Sequence, residues 1–131
     1  MIKKHIKLSI SHLVMASFVF SLNPLATALA NTWYVDGYVT TSGGGTSWVD
    51  ALKTIQEAVD TANTEDEIWV RQGTYPLSTT IDVRKVIAIY GGFDGTETQR
   101  DQRDWNNNVT TLDGQNSGVR RMSVSSDATI D

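Results

Sequence analysis

Two uninterrupted apolar runs, Ile68-Trp69-Val70 and Val86-Ile87-Ala88-Ile89-Tyr90, constrain this chain most. The first is bounded by Asp66-Glu67 and Gly73, the second is closed by Gly91-Gly92. A strand with one wet face alternates apolar and polar residues. A run without alternation suits a parallel strand with little water on either side. Shorter runs surround these two. Trp33-Tyr34-Val35, ended by Asp36-Gly37, reads as a first strand, and Thr80-Ile81-Asp82-Val83 as a short alternating one. Gly73-Thr74-Tyr75-Pro76 between them reads as a turn. Weaker strand signals follow at Val109-Thr110-Thr111-Leu112, Met122-Ser123-Val124 and Ala128-Thr129-Ile130. The spacing of these runs is too uneven to establish a repeat.

One segment has helical rather than strand periodicity. Trp48, Ala51, Leu52, Ile55, Ala58, Val59 and Ala62 recur at three- and four-residue steps, opposite Asp50, Lys53, Gln56, Glu57 and Asp60. Ser47 followed by Asp50 resembles a capping box, which predicts a helix starting at Ser47 and stopping near Asn63. Burying Trp48, Leu52, Ile55 and Val59 at about 1.5 to 3 kcal/mol each is its driving force, so it needs an apolar surface to lie on. Before it, Thr40 to Thr46 with the triplet Gly43-Gly44-Gly45 reads as a flexible loop. No Gly-Lys-Ser/Thr follows the triplet, as a phosphate-cradling loop requires.

Residues 1–30 have the parts of a secretory signal peptide. These are a positive start at Lys3, Lys4 and Lys7, an apolar stretch from Leu13 to Leu22, and a small-x-small site at Ala28-Leu29-Ala30 before Asn31. The apolar stretch is well short of the roughly 20 residues needed to span a bilayer. The expectation is cleavage after Ala30 and an exported product, extracellular, on the cell surface or periplasmic in a bacterium, with no transmembrane segment. Removing 30 of the 131 residues leaves 101, and loss of the three lysines moves the formal charge from −4 to −7. So acidic a product is a poor partner for nucleic acid or anionic membrane, both of which need Lys and Arg against phosphate.

Both histidines, His5 and His12, lie in that leader, and the chain has no cysteine. Residues 31–131 therefore hold no Ser-His or Cys-His nucleophile pair, no zinc site of the usual ligands and no disulfide. Asp101 and Asp104 beside Arg100 and Arg103 form the densest carboxylate cluster, but alternating charges in a polar loop read as a solvated, ion-paired surface. Asp104 to Asn108 opens like a calcium loop, yet Val109 stands at its sixth position and Gln115 at its twelfth. A looser set of oxygen ligands at Asp94, Glu97 and Asp101 is the remaining metal candidate. Of Trp33, Trp48, Trp69 and Trp105, only Trp105 lies in a polar loop, where it could stack on a sugar ring. No catalytic, cofactor-binding or metal-binding residue is assigned.

Several blocks occur together in order: Ser47-Trp48-Val49-Asp50-Ala51-Leu52, Ile68 to Tyr75, Tyr90-Gly91-Gly92-Phe93-Asp94-Gly95-Thr96-Glu97, Gln102-Arg103-Asp104-Trp105, and Thr110 or Thr111 with Leu112-Asp113-Gly114. This set resembles the N-terminal cap and first coils of right-handed parallel β-helix proteins of the pectate-lyase-like superfamily, especially large bacterial secreted and surface proteins. The resemblance implies a mainly β fold, the opening of a right-handed parallel β-helix with an amphipathic capping helix, over residues 31–131. Read without it, the residues also fit a small α+β domain, one helix on a four-stranded sheet. It implies a structural cap of an exported surface or adhesin-like protein, without catalytic activity of its own. Polysaccharide or a host or cell-surface ligand would then be bound through further coils. The alternatives are an inactive piece of a polysaccharide lyase or glycoside hydrolase on the same fold, whose catalytic groups would lie on central coils, and a small carbohydrate-binding module. Similar proteins continue past an Ala-Thr-Ile/Leu-Asp phrase like Ala128 to Asp131, so the resemblance also implies a truncated or interrupted reading frame.

Overall fold

The computed structural model of this chain describes residues 29–115, 122–124 and 129–131. Residues 1–28 of the expected leader and Ala128 of the last expected strand lie outside them. Among the described residues most of the regular structure is strand, with one α-helix, as in a small mainly β or α+β domain.

The strands are β1 (Thr32–Val35), β2 (Glu67–Arg71), β3 (Gly73–Pro76), β4 (Ile81–Val83), β5 (Ala88–Phe93), β6 (Thr110–Asp113), β7 (Met122–Val124) and β8 (Thr129–Ile130). They form a four-stranded sheet in the order β1-β2-β5-β8 and two pairs, β3-β6 and β4-β7. All five pairings are parallel. Thus β2, β3 and β4 visit the three sheets in turn, and β5, β6 and β7 visit them again in the same order.

The first apolar run is buried along its whole length, as its lack of alternation predicted, whereas burial alternates along the second: Ile87 and Ile89 are buried, Ala88 and Tyr90 half-buried and Val86 exposed. Val35, Ile68, Val70 and Ile89 join Tyr75, Ile81, Val83 and Ile87 in one buried cluster. On the opposite side of the four-stranded sheet, Tyr34 and Trp69 are register partners with ring centroids 5.5 Å apart. Phe93 stacks on Trp69 at 4.8 Å and 8°, and is fully buried. A register irregularity makes that stack possible. Trp69 pairs with Tyr90, but Arg71 pairs with Phe93, so β5 spends one extra residue around Gly91-Gly92. Without it, Gly92 would stand opposite Arg71. Gly92 has φ +92°, and a Cβ there would lie 2.9 Å from the Trp105 backbone.

The helix, α1, spans Ile55–Thr61 and is shorter than expected. Thr54 is its N-cap in extended conformation, and Thr54 and Glu57 form the capping box assigned from sequence to Ser47 and Asp50. The Glu57 carboxylate accepts from Thr54 N at 3.0 Å, and Thr54 Oγ1 accepts from Glu57 N at 3.3 Å. Upstream, Leu52 is strand-like. Its N–H donates to Tyr34 O and its carbonyl accepts from Asp36 N, both at 2.9 Å, in a parallel bridge with Val35. Trp48 therefore leaves the helix face and packs on the aromatic side of the sheet, 4.9 Å from Tyr34 and 5.6 Å from Phe93. Ile55, Ala58 and Val59 of α1 cover the buried cluster.

Three other segments depart from the sequence expectation. The expected turn Gly73–Pro76 is β3, with Tyr75 buried and its neighbours Thr74 and Pro76 exposed, as alternation along a strand demands. The glycine pair expected to close β5 lies inside it. The glycine triplet is a hydrogen-bonded loop, with Gly43 N and Gly45 N donating to Ala51 O and Asp50 O and Gly45 O accepting from Tyr34 N. Gly45 has φ +77°, and a Cβ on it would press on the Leu52 side chain at 2.8 Å.

Charged side chains tie these pieces together. Asp66 is buried, and its Oδ1 accepts from Asn31 N at 2.7 Å, its Oδ2 from Trp33 Nε1 at 2.9 Å and Asn63 N at 2.8 Å. Burial opposes its ionisation, but hydrogen bonds from Trp33, Asn63 and Asn31 outweigh it and hold the carboxyl below its ordinary value. Asp36, also buried, pairs with Arg71 Nη1 at 2.7 Å. Lys85, on the connection from β4 to β5, donates to Val59 O, Asp60 O and Ala62 O at 3.1, 2.8 and 2.6 Å. Those carbonyls end α1, whose last turn has no basic residue of its own.

Candidate functional site: an arginine and aromatic face

The expected cluster at Arg100, Asp101, Arg103, Asp104 and Trp105 lies on the connection between β5 and β6. A short 3-10 turn, Arg100–Gln102, fixes its start, and Gln102 Oε1 accepts from Thr98 N at 2.8 Å and Gln99 N at 2.9 Å. Asp104 N donates to Gly92 O at 2.8 Å, which seats the loop on the irregular part of β5. Two guanidinium groups then meet one ring. Arg100 Cζ is 4.8 Å and Arg103 Cζ 5.0 Å from the Tyr90 centroid, and Arg103 is also 5.0 Å from the Trp105 ring. Trp105 is 61% exposed.

Each arginine also has an acidic partner. Arg100 Nη1 bonds Glu67 Oε1 and the Tyr90 hydroxyl, and Arg103 Nη2 bonds Asp131 Oδ2 at 2.7 Å. The structure thus brings Arg100, Arg103 and Trp105 together, but not with Asp101 and Asp104 as a proton-transfer pair. Asp104 closes its own turn, accepting from Asn107 Nδ2 at 2.6 Å and from Asn106 N and Asn107 N. Hydrogen bonds from the Asn107 side chain and backbone hold its carboxyl below the ordinary value, so it is ionised at neutral pH and has no proton to donate. Tyr90 and Glu67 were not legible as members of this face, because only the register of β2 against β5 puts them beside a loop that follows.

The looser metal candidate is taken up by the backbone. Glu97 is buried, and its carboxylate accepts from Asp94 N at 2.7 Å, Gly95 N at 3.0 Å and Thr96 N at 3.0 Å. Asp94 accepts from Thr96 Oγ1 at 2.6 Å, and this bond, stronger than the opposing desolvation, holds its carboxyl low. Among the described residues no group of three or more His, Cys, Asp or Glu could hold a metal ion.

A cleft of about 370 Å³ lies between the start of α1 and the connection from β3 to β4, lined by Lys53, Thr54, Tyr75, Leu77, Thr79 and Ile81. A second concavity, of about 240 Å³, is bordered by Val70, Ile89, Leu112, Met122 and Ile130. On the arginine and aromatic face, the exposed Trp105 ring is the surface on which a planar group or a sugar ring could stack.

No family model, no curated protein and no solved structure matches this chain. Among the described residues no helix is long and apolar enough to cross a membrane.

Proposed function

We propose that residues 31–131 are the capped opening of a right-handed parallel β-helix in an exported bacterial surface or adhesin-like protein of the pectate-lyase-like type. In that role α1 closes one end of the coil, and the segment catalyses no reaction. The observation that carries this reading is the pairing pattern. Among the described residues every strand pairing is parallel, and β2, β3 and β4 pair in chain order with β5, β6 and β7: β2 with β5, β3 with β6, β4 with β7. Parallel neighbours need long crossovers, which in layered α/β domains are helices. Between β2 and β5, β3 and β6, and β4 and β7 the crossovers are strands of the other sheets, which supports a wound coil, while the crossover from β1 to β2 carries α1. Terminal units of such stacks need a covering with a polar outer face, and α1 supplies Gln56, Glu57 and Asp60 outside and Ile55, Ala58 and Val59 inside.

The test puts a charge under the lid. Val59→Asp should turn the exported chain from a monomer into an associating species by light scattering, while Asp60→Ser on the outer face leaves it monomeric. Equal behaviour of the two variants would remove the capping role. A second reading, a small carbohydrate-binding module, is favoured by the exposure of Trp105 beside Arg103. Retention on an immobilised polysaccharide that is lost in Trp105→Ala would select it.

A further inference from the structure

We propose that cleavage between Ala30 and Asn31 turns the Asn31 nitrogen into an ammonium ion that the buried Asp66 carboxylate holds, so that export processing itself locks the N-terminal end of the fold. This rests on the reading of residues 1–30 as an export leader.

Three observations place the lock. First, Asn31 N already lies 2.7 Å from Asp66 Oδ1, and Asn31 O accepts from Glu67 N at 2.8 Å, so this residue is held on both sides. Second, the chain just before it is open to a protease: Leu29 is 88% exposed and Ala30 is exposed. Third, Asp66 is only 2% exposed, yet its partners Asn31, Trp33 and Asn63 are all neutral donors, and none of the ion pairs among the described residues includes it. A buried ion pair repays its desolvation only where the geometry is close and the remaining lone pairs are satisfied, and here Trp33 Nε1 and Asn63 N satisfy the other oxygen. The new amino terminus is a cation delivered to the right oxygen.

The covalent step is a hydrolysis by an external endopeptidase selective for small residues. Water adds across the Ala30–Asn31 peptide bond, its oxygen leaves with the Ala30 carboxylate, and the Asn31 amine takes up a proton at neutral pH. The charged groups nearby are Glu65, Glu67, which is paired with Arg100, Asp60, and Lys85 on the carbonyls ending α1. Among the described contacts the carboxylate that bonds the Asn31 nitrogen is that of Asp66.

The experiment exports the full chain from a bacterial host, reads the amino terminus of the product by intact mass, and titrates its α-amine by NMR after reductive ¹³C-methylation. The product should begin at Asn31. Its α-amine should hold its proton at least tenfold more tightly than in Asp66→Asn, against an ordinary pKa of about 8. If Asp66→Asn does not accumulate, the same tenfold difference is sought between folded and urea-unfolded wild type. A product beginning at Asn31 whose α-amine titrates alike in both states or variants overturns the lock and leaves the export reading standing. A chain retained uncut, or cut elsewhere, overturns the leader boundary and the lock with it.

Discussion

Phe93→Ala tests the account of the four-stranded sheet as a structure with two dry faces. Phe93 is fully buried, yet it belongs to the aromatic side, stacked on Trp69 at 4.8 Å and tilted against Trp48 at 5.6 Å. Truncating a buried Phe costs about 3 to 5 kcal/mol. Aromatic pairs contribute about 0.5 to 1.5 kcal/mol beyond buried area, which puts this site at the upper end, about 4 to 5 kcal/mol. A domain of this size has about 5 to 15 kcal/mol in total, so little would remain. At about 4 to 8 °C per kcal/mol, the melting temperature should fall by at least about 16 °C. Phe93→Leu keeps most of the volume and loses the ring pairs, for about 1 to 2 kcal/mol. Urea titrations of the chain, followed by far-UV circular dichroism and by tryptophan fluorescence, measure both. A loss under about 2 kcal/mol for Phe93→Ala would mean that the outer aromatics are a surface decoration and that the sheet has one dry face only.

Three further outcomes follow from named contacts. Thr54→Ala should cost about 1 kcal/mol in urea titrations and Ser47→Ala under half of that, because Thr54 and not Ser47 caps α1; the reverse order would restore the longer helix. Burial pushes the Tyr75 hydroxyl up to about 12, against the hydrogen bond from Gly37 N. The fold thus favours its protonated form, stability from this group is complete below about pH 10 and is lost as pH rises through 12, and Tyr75→Phe, at a cost of about 1 kcal/mol at neutral pH, should remove that alkaline loss. Tyrosinate absorbance in which all four tyrosines ionise together near pH 10 in the folded chain would contradict this. Asp66 and Glu57 are held below ordinary carboxylate values, so the unfolded chain binds more protons; the urea midpoint should be level from pH 7 to about 5 and fall as pH drops below about 4. A midpoint that stays level to pH 2 would show that these carboxylates are not held by the fold.

How much was legible differs by element. Ile68 to Val70 and Ile81 to Val83 were placed correctly because continuous or alternating apolar residues report burial directly. The helix start was misplaced because Trp48 and Leu52 fall at helical spacing by coincidence, one serving the aromatic face and the other bridging to Val35. Sequence periodicity cannot distinguish two separate dry surfaces from one. Gly73 to Pro76 was read as a turn because glycine and proline signal turns locally, whereas the parallel partner that makes it a strand lies 37 residues away, at Thr110 to Asp113. In the candidate site Arg100 and Arg103 were visible as part of a charged loop and Trp105 as a separate exposed ring, but Tyr90 and Glu67 were not, since their place depends on strand register. Asp66 gave no local signal at all; its four donors come from both ends of a long excursion.

The grip of Lys85 on the last carbonyls of α1 sets an order in time. A helix of seven residues is far below the roughly 12 to 15 that hold together alone in water, and its C-terminal charge partner is made more than twenty residues after it. In a chain emerging amino terminus first, these carbonyls gain their Lys85 partner only once β4 and the following connection have appeared. Until then Ile55, Val59 and the edge of β1 stand uncovered. A pause in synthesis or translocation between residues 62 and 85 would lengthen that interval, which makes this short stretch the place where a holding chaperone would matter most.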